Sequence, residues 1–350
     1  MAMHYLPLHG VVACMAALLA FLSPERAIAQ TGMTTLQAPN LPITLVYPTA
    51  AKESAQAMGP FTLQVAPNAA PTRGNGRLVV LSHGTGGSAL SDHDLARTLA
   101  NAGFVVAQPE HQGDNWQDQQ RSGPESWKLR PGEVSKAIDA VMADPRFAPL
   151  LDASKVGVHG MSAGGGTALA LAGGQWSVNQ MVAHCAAHLV DDAGFCFYGL
   201  RTAAERQQRA AEYARAAVTP QPPVLFGGAQ VRDARIAAAA ATVPLGAAFT
   251  ADSLKGIAIP VAIVEASADQ VLLPAFHSGR VLALCSNCKP LGVLPGAGHL
   301  DTLSPWPDSI AQRLANVPGF ARSPNFDHKL LMASYQRIAA FFQQTLVGAP

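Results

Sequence analysis

The chain has 350 residues, 49% of them hydrophobic and 13% charged, with a formal net charge of +1 at pH 7. That length and apolar share supply one large core or two small ones and exclude a disordered chain. No dense Lys/Arg run and no basic stripe with interleaved aromatics is present, which excludes nucleic acid and anionic membrane as partners and leaves small, neutral or weakly charged molecules.

Residues 1–29 are expected to form a secretory signal peptide. An apolar stretch from Val11 to Leu22 leads to Ala27-Ile28-Ala29, an A-x-A pattern that would leave Gln30 first, although no Lys or Arg precedes the stretch. Most of that stretch follows Cys14 instead of preceding it, which argues against a lipoprotein site. No later run is long and apolar enough to span a bilayer. Cys185, Cys196, Cys285 and Cys288 then remain for an exported, periplasmic or secreted chain, and an even number implies two disulfides. Pairing Cys185 with Cys196 and Cys285 with Cys288 is the simplest of three connectivities. The Cys285-Ser-Asn-Cys288 stretch has no second ligand pair at zinc spacing, so no metal is expected there.

Along the chain, a short Ser/Thr/Pro/Gly-containing entry precedes LPITLVYP and FTLQVAP, which predict strands separated by a polar connection. RLVVLSHG predicts a buried strand, SDHDLARTLANAG an N-capped helix closed by glycine, and FVVAQPEH another strand. GEVSKAIDAVMAD has helical spacing, and KVGVHGMS is the next strand. Strand and helix alternate, as in a mostly parallel sheet covered on both faces. Residues 175–223 interrupt the alternation and are expected to form a cap or lid. The pattern returns with VRDARIAAAAATVP and IPVAIVEASAD as strands, FHSGRVLALC as helix, KPLGVLPGAGH as the last strand and HKLLMASYQRIAAFFQQTL as a closing amphipathic helix. Residues 30–350 thus make one α/β domain.

Within HGMSAGG, Gly160 and Gly164 flank Ser162 at the spacing of a nucleophile elbow, where a sharp strand-to-helix turn lifts a serine hydroxyl out of the sheet. In a chain with 31 glycines this pattern alone is weak, and its partners must be found independently. A serine nucleophile needs a base, a carboxylate behind that base, and backbone donors for the oxyanion, with acid and then histidine following in chain order. His299, ending LPGAGH, is the expected base; His328 is the weaker alternative, and His277 is read as a surface residue. Asp269, at the end of IVEASAD, is the expected acid, Glu265 the runner-up, and Asp191 or Asp192 would require an acid from the inserted segment. The amides of Ala163, at a helix start, and Thr85, in the glycine-rich turn HGTGG, are the expected oxyanion donors. His83 is read as a structural brace for that turn.

HGTGG, PEHQGDN, HGMSAGG, IPVAIVEASAD and LPGAGHLDTL together resemble the α/β-hydrolase superfamily, and within it the bacterial dienelactone-hydrolase-like and platelet-activating-factor-acetylhydrolase-like esterases, over roughly residues 40 to 345. The resemblance implies the α/β-hydrolase fold, Ser162 as nucleophile, Asp269 as acid, His299 as base, and Thr85 and Ala163 as the oxyanion hole. It implies a serine ester hydrolase that needs no cofactor. True dienelactone hydrolases carry a cysteine nucleophile, so Ser162 departs from that reaction, and Glu265 stands where relatives often have glycine. Trp116, Trp176, Phe197 and Tyr198 favour an uncharged, moderately hydrophobic acyl or aryl ester, Trp116 being the expected substrate contact. The rivals are a lipase or phospholipase A2-type acyl hydrolase and a non-catalytic exported protein binding metal through His184, Cys185, His188 and Asp191.

Overall fold

The computed structural model describes residues 30–219, 224–317, 321–324 and 326–348, together with Met1; the expected signal peptide lies outside the described residues. The first half comprises β1 (Gln30–Ala38), β2 (Leu41–Thr49), β3 (Ser54–Met58), β4 (Phe61–Pro67), β5 (Leu78–Ser82), α1 (His93–Asn101), β6 (Val105–Pro109), α2 (Pro124–Ala143), β7 (Val156–Met161) and α3 (Ala163–Leu171). β8 (Gln175–Trp176), α4 (Val178–His188), α5 (Ala193–Cys196), α6 (Ala203–Ala217) and β9 (Phe226–Gly227) follow. The chain continues with β10 (Ile236–Thr242), α7 (Ala251–Lys255), β11 (Val261–Ala266), α8 (Ser278–Leu284), β12 (Cys288–Leu294), α9 (Asp308–Leu314) and α10 (His328–Phe342).

Ten strands form one sheet in the order β12-β11-β10-β7-β5-β6-β2-β1-β4-β3. From β12 to β6 every neighbour is parallel, and β2 adds to β6 antiparallel. The central strands are mostly apolar because both faces are covered. Leu78 and Val80 of β5 join the cluster that contains Val134 and Ile138 of α2 and Leu169 of α3. Val79 and Leu81 point the other way, onto Leu95 and Leu99 of α1 and Tyr335, Ile338 and Phe342 of α10.

Three local expectations differ from the structure. The entry segment is itself a strand, β1, paired with β2 over its whole length, and the polar connection after β2 supplies β3, which forms a hairpin with the expected strand β4. Helix α2 starts at Pro124 and runs through Pro131, so it begins eight residues before Gly132, where the helical spacing was read to start. At α1 the cap residue Asp92 makes no side-chain cap bond, and the Ser304 hydroxyl accepts from the Asp94 N–H instead, at 2.9 Å. The alanines of β10 suit a helix by propensity, yet the strand is clamped between β7 and β11, where tertiary pairing overrides it.

His159 of β7 is buried beneath this sheet, with Nε2 3.0 Å from the Thr242 hydroxyl and Nδ1 without a partner. Burial pushes its pKa from 6.5 down to about 3. Between those values the unfolded chain binds a proton that the native chain does not, so stability falls as pH falls through that window. In the variant His159→Leu that sensitivity is absent. Urea unfolding across pH 6.5 to 3 should therefore show the wild type losing ground steadily against the variant, whereas parallel curves would contradict it.

Candidate active site

The turn from β7 into α3 places Ser162 at φ +59°, ψ −118°, a backbone conformation seldom taken by a residue with a side chain. Its flanking glycines are required by close approach. A Cβ at Gly160 would overlap the Gly164 carbonyl, and one at Gly164 would overlap the Ser82 carbonyl at the end of β5. The turn is tied down by the Ser162 N–H, which donates to Thr242 O at 3.1 Å, and by Leu245 N–H, which donates to Ser162 O at 3.0 Å.

The structure brings Ser162, Asp269 and His299 together. His299 Nδ1 is 2.7 Å from Asp269 Oδ2, and Nε2 is 2.9 Å from Ser162 Oγ. A carboxylate only accepts, so Nδ1 carries the proton and donates; in neutral imidazole Nε2 then holds the lone pair facing the serine hydroxyl. Asp269 Oδ1 accepts the N–H groups of Val271 and Leu272 at 2.8 and 2.9 Å, which fixes the carboxylate. Asp269 and His299 are buried, 1% and 3% exposed, so their contact is shielded from water. Glu265 Oε2 instead accepts the Ser278 hydroxyl at 2.6 Å, and His328 is exposed at the start of α10.

The Thr85 and Ala163 N–H groups are not taken by any acceptor among the described residues. Ala163 opens α3, where the first amides point out of the helix. Thr85 follows Gly84, at which a Cβ would stand 3.4 Å from Ser162 Cβ. A serine hydroxyl bonded to an imidazole that a buried carboxylate orients, with two unpaired amides nearby, can perform acyl transfer. The family model for the dienelactone hydrolase family matches residues 65–241, half of the chain. This chain belongs to the dienelactone hydrolase family.

Membership in the dienelactone hydrolase family, together with the fold, makes the chain a carboxylic ester hydrolase of the α/β type acting on a small-molecule substrate. Among solved structures it is similar to a ferulic acid esterase from Streptomyces cinnamoneus, at 18% identity and a TM-score of 0.58, covering 93% of this chain and 92% of that one. At that identity the likeness is one of fold. No curated protein sequence matches the chain.

Other residues differ from expectation. His277 is not a surface residue: it is fully buried, and its Nε2 lies 2.9 Å from Asp192 Oδ2, which His184 Nε2 also approaches, at 2.8 Å. Asp192 therefore ties α4 and α5 to the core and is not behind His299. Gly194 continues this contact, since a Cβ there would overlap the Gln270 carbonyl next to Asp269. The metal set His184, Cys185, His188 and Asp191 is overturned, because Cys185 is bonded to Cys196; Cys285 pairs with Cys288. The regrouped trio His184, Asp192 and His277 does not fit a cation either. His277 Nδ1 accepts the Gly246 and Ala247 N–H groups at 3.1 and 3.4 Å, so the neutral ring carries its proton on Nε2 and has no lone pair there for a metal.

Trp176 is 3% exposed and packs in the core against Trp127 and Phe226, whereas Trp116 is 64% exposed beside the glycine-rich turn, its N–H donating to Gly87 O at 2.9 Å. A hollow of about 930 Å³ lies between α4 and α6 and is lined by none of Ser162, Asp269 or His299. A much smaller cavity, about 10 Å³, adjoins Ala163 and is walled by Trp127, Thr167, Trp176, Leu245 and Phe249. Ser82, His111 and Glu133 repeat the serine-histidine-carboxylate order, with 2.8 Å from Ser82 Oγ to His111 Nε2 and 2.7 Å from Nδ1 to Glu133 Oε2. All three are buried, so no ester carbonyl can reach Ser82 and the trio braces the end of β5. Sequence reasoning passed over Asp114, Arg130, His111 and Glu133; the signal available was charge in segments otherwise destined for the interior.

Proposed function

We propose that the chain is an exported serine esterase that cleaves uncharged, short to medium acyl or aryl esters through an acyl-enzyme. The observation that carries this reading is the linear run from Ser162 Oγ to His299 Nε2 at 2.9 Å and from His299 Nδ1 to Asp269 at 2.7 Å. His299 takes the Ser162 proton as Oγ attacks the ester carbonyl, and Asp269 stabilises the imidazolium. The oxyanion of the tetrahedral intermediate accepts the Thr85 and Ala163 N–H groups. Imidazolium then protonates the departing alkoxide, which leaves as alcohol, and water repeats the sequence on the acyl-serine to release the acid and restore Oγ–H.

The segment 175–223 serves as the cap, and its described helices α4–α6 are held down by the Asp192 contacts and stapled by Cys185–Cys196. Two disulfides and the A-x-A pattern ending at Ala29 support export. Trp116, exposed beside the turn that bears Thr85, is the aromatic contact for the substrate. Hydrolysis of p-nitrophenyl acetate, butyrate and octanoate tests the reading. The esterase is expected to prefer acetate or butyrate in kcat/KM; a maximum at octanoate would make it a lipase-type acyl hydrolase, and no turnover of any of them would overturn it.

A further inference from the structure

We propose that Arg130 and Asp114 are positioning residues that hold the Gly84–Thr85 peptide so that the Thr85 N–H faces the oxyanion formed at Ser162. The assignment rests on Ser162 being the nucleophile, as proposed above.

Both side chains are completely buried and paired, Arg130 Nη2 donating to Asp114 Oδ2 at 2.7 Å. Stability does not explain such a pair, since well-packed apolar replacements for buried ion pairs are often neutral or better. What sets this pair apart is where its remaining bonds go. Arg130 Nη1 donates to His83 O, and Nη2 also reaches Gly84 O at 3.3 Å and Asp114 O at 3.4 Å. Asp114 Oδ1 accepts the Gly86 N–H at 3.0 Å. The guanidinium thus grips the two carbonyls before Thr85, while the carboxylate grips the amide after it. Arg130 Nε donates to the Ser126 hydroxyl at 2.7 Å, and the Ser122 and Ser126 hydroxyls donate to Asp114, each at 2.7 Å.

The Gly84 carbonyl receives two further donors. The Gly87 N–H approaches at 3.1 Å and His83 Nδ1 at 2.8 Å. His83 Nε2 accepts the His111 N–H at 3.1 Å, so in the neutral ring Nδ1 is the protonated nitrogen and donates. Burial, His111 and Arg130 push the His83 pKa well down and keep the ring neutral. Three donors on one carbonyl fix the orientation of the peptide plane. No peptide bond among the described residues is cis, and in a trans peptide the N–H lies on the edge opposite the C=O. The Thr85 N–H is therefore turned away from Arg130, and Gly84 stands close to Ser162, a Cβ there lying 3.4 Å from Ser162 Cβ.

The test uses the whole protein with p-nitrophenyl acetate and an arylalkyl trifluoromethyl ketone, whose hemiketal oxyanion needs the same donors. Arg130→Met should lower kcat about 100-fold, the scale of losing one oxyanion donor, with KM nearly unchanged and inhibitor affinity falling in parallel. Arg130→Lys should recover part of the loss. Ser126→Ala, which frees Arg130 Nε without leaving an unpaired charge, should lower kcat about tenfold, and it decides the matter if Arg130→Met does not fold. The shape of the kcat/KM pH profile should stay unchanged in all of these variants. Folded variants with unchanged kcat, or a loss confined to KM, would overturn the assignment. A wild type whose ester hydrolysis survives Ser162→Ala would instead overturn the function itself, and this assignment with it.

Discussion

Ser162→Ala is expected to reduce ester hydrolysis by about 10⁶-fold while the protein stays folded. The effect is this large because, in the proposed mechanism, the hydroxyl forms the covalent bond to the acyl group. Among the described residues, the one other serine with a histidine and carboxylate behind it, Ser82, is fully buried and cannot replace it. Removing the hydroxyl leaves the elbow intact, since its shape is set by Gly160, Gly164 and the backbone bonds to Thr242 and Leu245. Steady-state rates with p-nitrophenyl acetate, alongside a thermal melt, give both quantities. Residual turnover above about 1% of wild type would be incompatible with Ser162 as nucleophile, given the scale quoted.

Asp269→Asn should lower kcat by about 10⁴-fold with little effect on KM. The carboxylate makes His299 carry its proton on Nδ1. An asparagine in the same place can present an N–H to Nδ1, which moves the ring proton to Nε2, where it can no longer accept from Ser162. The geometry survives and the tautomer does not. Glu265→Gln is the matched control. Its carboxylate partners the Ser278 hydroxyl 13 residues along the chain and does not contact His299, so kcat should stay within a few-fold of wild type. Equal losses in the two variants would contradict the assignment of Asp269.

The difference between these two carboxylates was only half legible in the sequence. Both sit at the end of one apolar strand, and the choice between them depends on the turn at Asp269, whose Oδ1 caps the Val271 and Leu272 amides and leaves Oδ2 for His299. The parallel core was legible because strands covered on both faces read as continuous apolar runs, as in Leu78–Ser82 and Val105–Pro109. β1 and β3 were not, because at the antiparallel end of the sheet polar and small residues such as Thr34, Thr35, Ser54 and Gln56 occupy strand positions. Ser162, His299 and Asp269 carried local patterns: a glycine-flanked turn and two strand ends. His277 had none. Its burial follows from Asp192, 85 residues earlier in the chain, and from backbone amides at Gly246 and Ala247. Arg130 was hidden similarly, since helical spacing was read only from Gly132 onward, whereas the helix runs from Pro124 and includes Arg130.

The most direct test of the central claim is a mass measurement after exposure to a fluorophosphonate, which forms a stable bond only with an activated serine hydroxyl. The account predicts one adduct per chain, located by peptide mapping on the peptide containing Ser162, and absent from Ser162→Ala. An unlabelled wild type, or an adduct on any other residue, would contradict it.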